Sequence, residues 1–147
     1  MPALLVKKVV GDAVFDSFFK FCVEREPVDK TISHYSYLKN SNEKIIQRPN
    51  SWEDYLSNGD FPIDYNLYTD GEQVLVDRII KFESLRDEIR EIFKSLNLPL
   101  SAVPPVARTG LREKLMPTTD QIEGIYHNFT RSNFFTGYQK NQAKPLL

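Results

Sequence analysis

The chain has 147 residues, of which 41% are hydrophobic and 27% charged, with a formal net charge of -1 and one cysteine. That length suits a single domain, residues 1–147, able to bury a core without disulfide or metal staples. The charge balance supplies no global field for nucleic acid or an anionic membrane, no apolar run is long enough to span a bilayer, and Cys22 has no partner for an intramolecular disulfide. The N-terminus has Lys7 and Lys8 but neither a continuous apolar stretch nor a small-residue cleavage site, so a cytoplasmic location is the expectation.

Ala3 to Val10 reads as a short helix stopping near Gly11. Phe18 to Val23 is an aromatic, apolar run that predicts a buried strand. Glu24-Arg-Glu-Pro27 breaks it, and Pro27 fits the first turn of a helix because that turn needs no N–H there. Val28, Ile32 and Tyr35 then recur at helical spacing, and the stem of Lys39 extends the stripe. Residues 40–49 are polar and read as a loop. Ser51 with Asp54 predicts a capped helix from Trp52 to Ser57. Asp70-Gly71 between Asn66–Thr69 and Glu72–Val76 is a hairpin signal. Arg78 to Phe82 reads as another strand, and Ser84 as the cap of a helix whose stripe is Leu85, Ile89, Ile92, Phe93 and Leu96. A linker with three prolines covers Leu98 to Pro105, and a basic loop Arg108 to Lys114. Thr118 with Gln121 is a capping box for a last helix carrying Ile122, Ile125, Tyr126 and Phe129. Residues 134–138 should dock on the core, and 139–147 should fray. Strand–loop–helix order and striped helices together predict an α/β domain in three layers, a parallel sheet flanked by helices.

The stretch that carries chemistry is Arg25-Glu-Pro-Val-Asp-Lys-Thr-Ile-Ser33. A strand ends at an arginine and a helix starts two residues later, which offers an anion the helix N–H groups, a guanidinium fork and the Ser33 hydroxyl. The alternative is that Arg25 pairs with Glu24, Glu26 or Asp29 on the surface and Ser33 is an ordinary helix residue. His34 and His127 read as packing or surface residues, and Trp52, Tyr55, Tyr65 and Tyr68 as core aromatics before they read as a sugar platform. Neither a metal-ligand cluster nor a catalytic group is evident.

This stretch resembles the 3′-phosphate-binding motif of sulfotransferases that use 3′-phosphoadenosine-5′-phosphosulfate, in particular the carbohydrate-type and bacterial members. In that family an arginine at a strand end and a serine eight residues later hold the 3′-phosphate, the spacing of Arg25 and Ser33. Phe-Lys-Phe before the motif, the Tyr-Thr-Asp-Gly hairpin, Asp77 to Leu85, the helix ending Leu96-Asn-Leu-Pro99 and the closing Phe-Thr-Gly-Tyr138 follow in the same order, so the likeness runs over residues 3 to 138. It implies a fold related to the P-loop NTPases, with Arg108 and Arg112 in a basic loop closing over the nucleotide. The family's first strand and the loop that grips the 5′-phosphosulfate have no counterpart in residues 1–17, and its general base has none either. The chain is therefore expected to be an N-terminally shortened form of the fold, lacking its first strand and phosphate loop.

What the resemblance implies for function is transfer of a sulfuryl group from that donor to a hydroxyl of a carbohydrate or small molecule, leaving adenosine 3′,5′-bisphosphate, with no nucleic-acid, membrane or metal partner. The alternatives are a non-catalytic nucleotide-binding protein and a fragment completed by another chain. A strand edge left open by the absent first strand would favour self-association.

Overall fold

A computed structural model describes residues 1–41, 48–100 and 112–139. Two short helices open the chain, α1 (Ala3–Val10) and α2 (Asp12–Ser17), joined at Gly11, whose φ of 83° suits glycine. Strand β1 (Phe21–Glu24) follows, then α3 (Pro27–Asn40), α4 (Trp52–Asn58) and one helical turn, α5 (Tyr65–Tyr68). Strands β2 (Thr69–Asp70) and β3 (Gln73–Val74) form a hairpin around Gly71. Strand β4 (Arg78–Lys81) leads through a 3-10 turn, Phe82–Ser84, into α6 (Leu85–Ser95). Helices α7 (Thr119–Asn128) and α8 (Thr130–Thr136) close the described chain.

The protein is thus a mixed helix and strand structure in which β1 and β4 pair in parallel, Phe21 opposite Arg78 through Glu24 opposite Lys81. The sequence places both strands correctly and misplaces their surroundings. Among the described residues the parallel sheet has these two strands only, so β1 is not flanked on both sides as a central strand would be. It begins at Phe21, because Phe18 and Phe19 lie outside the ladder with their side chains in solvent. The expected strand over Asn66–Thr69 is largely the helical turn α5; Thr69 Oγ1 donates to Tyr65 O at 2.8 Å and closes that turn. The single last helix is two helices, divided at Phe129.

Two apolar clusters hold the elements together. In the larger, the α3 stripe Val28, Ile32 and Tyr35 packs with Trp52 and Tyr55 of α4, with Ile125 and Tyr126 of α7, and with Phe129 and Tyr138. Trp52 stacks on Tyr55 at 5.7 Å, and its Nε1 donates to Gln121 Oε1 at 3.2 Å. That oxygen also accepts from Thr118 N, so the capping box both starts α7 and anchors α4. Trp52, Tyr55, Tyr65 and Tyr68 are all buried, as core aromatics. The smaller cluster sets Ile80 of β4 against Ile89 and Ile92 of α6. Pro27 stands at the first position of α3 and Ser51 caps α4 through Asp54 N. Ser84 precedes α6 without capping it; its hydroxyl is nearest Glu88 Oε1 and Lys81 O. Gln139, expected to fray, has its carbonyl within 3.0 Å of the Tyr126 hydroxyl. No helix among the described residues is long and apolar enough to cross a membrane.

Candidate anion site at the carboxyl end of the sheet

Because β1 and β4 run parallel, both carboxyl ends open on the same edge, where helix-bearing sheets present their loops to ligands. From β1 come Glu24, Arg25 and Glu26, and from β4 come Phe82 and Glu83. The Glu26 N–H donates to Glu83 Oε1 at 2.9 Å and stitches the two exits together. Tyr138 donates to Glu83 Oε2 at 2.5 Å, and the Tyr126 hydroxyl lies 2.8 Å from Glu26 Oε1. Burial first, and then the adjoining carboxylates, push both phenols well above their ordinary range, so they remain neutral donors.

Glu24 is 2% exposed and points to the other side of β1 from Val23. Its carboxylate accepts from Lys30 Nζ at 2.7 Å and from Tyr68 Oη at 2.9 Å. Lys30 also reaches Asp64 Oδ2 at 2.7 Å. One ammonium thus serves two carboxylates, and the buried Glu24 is both paired and hydrogen-bonded.

Two of the residues singled out in the sequence, Arg25 and Arg112, meet at Asp29 of α3. Arg25 leaves the end of β1 with its guanidinium over the Phe82 ring, 4.5 Å from the centroid, and its Nε donates to Asp29 Oδ2. Arg112 comes from the segment running beside α3, which Glu113 N ties to Ser36 Oγ at 3.0 Å; its Nη2 lies against Asp29 Oδ1. That Nη2 is buried, yet makes no well-aligned hydrogen bond, so its contact with Asp29 is an ion pair without direction. Ser33 is one turn beyond Asp29 on the same face. The hydroxyls of Thr31 and Ser36 bond back to the carbonyls four residues earlier, whereas Ser33 makes no hydrogen bond to another described residue. Arg108 lies outside the described residues.

Two features depart from expectation. The first N–H groups of α3 are not open to an anion: Glu26 folds back as the cap and accepts from Val28 N at 3.1 Å and Asp29 N at 2.7 Å. The donors left open at this end are therefore those of side chains rather than of the helix end. The pairing of Arg25 with Asp29, one alternative readable in the sequence, does form, but with both groups mostly buried rather than on the surface. Asp29 as a shared partner of two arginines was not legible, because nothing in the sequence places Arg112 beside α3. His34 stands apart, half-buried, with Nδ1 at 3.0 Å from the Tyr55 hydroxyl. His127 is exposed. No group of His, Cys, Asp and Glu suited to a metal occurs among the described residues.

Together these observations define a small protein of mixed helix and strand with an arginine pair at the carboxyl end of a parallel strand pair. The chain is 32% identical over 104 residues to an uncharacterized protein of Archaeoglobus fulgidus, an alignment covering 67% of this chain and 84% of the archaeal one. It belongs to the same family as that protein. No protein-family model and no solved structure matches the chain.

Proposed function

We propose that the chain is a sulfotransferase-like protein that takes up 3′-phosphoadenosine-5′-phosphosulfate or adenosine 3′,5′-bisphosphate through its 3′-phosphate, at Arg25, Ser33 and Arg112; the resemblance adds Arg108, which lies outside the described residues. The observation that carries this reading is the convergence of two guanidiniums on one carboxylate, one helical turn from a serine hydroxyl that makes no hydrogen bond to another described residue. The Nη groups of Arg25 and Nη2 of Arg112 make no hydrogen bond to another described residue, and a phosphate would satisfy such donors. The reaction in this reading breaks the sulfur–oxygen bond of the phosphosulfate and forms a new one to a hydroxyl of a carbohydrate or small molecule. The acceptor proton must pass to a base, and no described residue is assigned to that role.

A second reading is non-catalytic nucleotide binding, since no described residue is assigned to the base or to a phosphate-cradling loop; residues 3–17 form α1 and α2. Both readings share the 3′-phosphate site, and calorimetric titration tests it. Adenosine 3′,5′-bisphosphate should bind more tightly than adenosine 5′-monophosphate. Arg25→Ala should cost about 2 kcal/mol and Ser33→Ala about 1 kcal/mol, since a charge-assisted bond outweighs a hydroxyl one. Arg25→Lys should recover only part, because an ammonium lacks the planar fork. Equal affinity for the two nucleotides, or no loss in Arg25→Ala, refutes the site. Sulfate transfer to a panel of sugars and small alcohols then separates the enzyme from the binding protein.

A further inference from the structure

Asp29 stands at the centre of the arginine pair, and two opposite roles are open to it. It can be an internal anion holding the place of a phosphate, to be displaced on binding, or it can hold the arginines in position for one. We propose that it is a positioning residue, an inference that rests on the 3′-phosphate reading above. A guanidinium has two hydrogen-bonding edges, one through Nε and one through the Nη pair. Asp29 takes Nε of Arg25 and so leaves the Nη edge, the one suited to bidentate contact with phosphate, unengaged by other described residues. The Phe82 ring beneath the guanidinium fixes its plane. Asp29 presents its other oxygen to Arg112, so a single carboxylate sets the spacing of both cations. The Ser33 hydroxyl, which makes no hydrogen bond to another described residue, lies one turn along the same helix face, beyond Asp29. A ligand replacing Asp29 would have to break both ion pairs. A ligand engaging the outer edges keeps both ion pairs and uses donors that no described residue engages.

The two roles predict opposite signs for one substitution. Asp29→Asn removes a negative charge from beside the site, which by Coulomb attraction alone should strengthen anion binding. If Asp29 positions the arginines, the same change weakens it. Calorimetric titration of adenosine 3′,5′-bisphosphate into the full chain should show about tenfold weaker binding for Asp29→Asn, with partial recovery in Asp29→Glu, and thermal melting reports separately whether each variant is folded. In an Arg25→Ala background, Asp29→Asn should add much less than its effect in wild type, because part of what Asp29 positions is gone. Tighter binding by Asp29→Asn would make the residue a competitor and overturn the proposal. Unchanged binding, or a loss that is fully additive with Arg25→Ala, would make it a structural residue and overturn it equally. Should Asp29→Asn fail to fold, Asp29→Glu decides, since wild-type affinity after moving the carboxylate by one methylene is incompatible with positioning. Failure of the nucleotide reading looks different: wild type would not discriminate the two adenosine nucleotides, or Arg25→Ala would bind as wild type does.

Discussion

The two flanks of β1 meet opposite surroundings. At its carboxyl end, Glu24, Arg25 and Glu26 are tied to Lys30, Asp29, Tyr68, Tyr126 and, through Glu83, Tyr138. Along its outer flank, Phe21 is 43% and Val23 38% exposed, beside a groove of about 460 Å³ between β1, α1 and α5, walled by Val6, Phe15 and Leu67. The apolar residues, which a sequence reading assigns to the core, are in part the open ones, and charged residues fill the closed end. Burial here follows which neighbours reach the strand, and polarity at the closed end is tolerated because each charge has a partner.

The strongest way to break this contrast is to remove the partner of the most buried charge. Lys30→Ala leaves the Glu24 carboxylate with the Tyr68 hydroxyl alone in a closed site. It should cost about 3 kcal/mol, the usual consequence of stranding one member of a buried pair. Denaturant unfolding measures it, and a loss under about 1 kcal/mol would mean that water reaches Glu24.

A smaller effect should come from His34. Burial lowers its pKa from the ordinary 6.5, and Asp60 and Asp64 only partly oppose that shift. Its Nδ1 is set to accept from the Tyr55 hydroxyl, whose own pKa burial raises, so Tyr55 remains a donor. Folding thus favours the neutral imidazole. The contribution to stability is complete above the unfolded pKa and is lost as pH falls through the lower folded one. Unfolding midpoints should therefore decline between about pH 7 and pH 5, and His34→Gln should flatten that part of the profile. An unchanged slope in the variant would assign the decline to other groups.

Local signals in the sequence were sufficient where one element decides its own structure. Pro27 at the start of α3, the Ser51 cap, the Thr118–Gln121 box and the stripe of α6 all depend on residues within a turn or two of each other. That β1 and β4 are strands was legible from two apolar runs, whereas their pairing with each other was not. What could not be read depends on distant partners. Whether Phe18 to Val23 is covered is settled by what else lies beside it, and of the expected strand Asn66–Thr69 only Thr69 is extended, the rest being the helical turn α5. At the proposed site, Arg25 and Ser33 were singled out by the strand–loop–helix order and by the resemblance to the sulfotransferase motif. The cap by Glu26 and the convergence of Arg112 on Asp29 depend on chain paths that spacing does not reveal.

The smallest expected effect gives the sharpest test, because Val23 and Ile80 are register partners on the same face of the parallel pair. Ile80 is fully buried against Ile89 and Ile92, whereas Val23 opens toward the groove. Ile80→Val deletes one methyl from a packed site and should cost about 1 kcal/mol, through lost burial and the small void left behind. Val23→Thr replaces a methyl by a hydroxyl but keeps the branched shape that a strand prefers, and water can meet the new polar atom, so it should cost about 0.5 kcal/mol or less. On hydrophobicity alone the second change is the more drastic, and the order would reverse. Chemical denaturation of the two single variants decides between these orders. If Val23→Thr is the costlier, the outer flank of β1 is covered in solution, and the contrast between its two flanks does not hold.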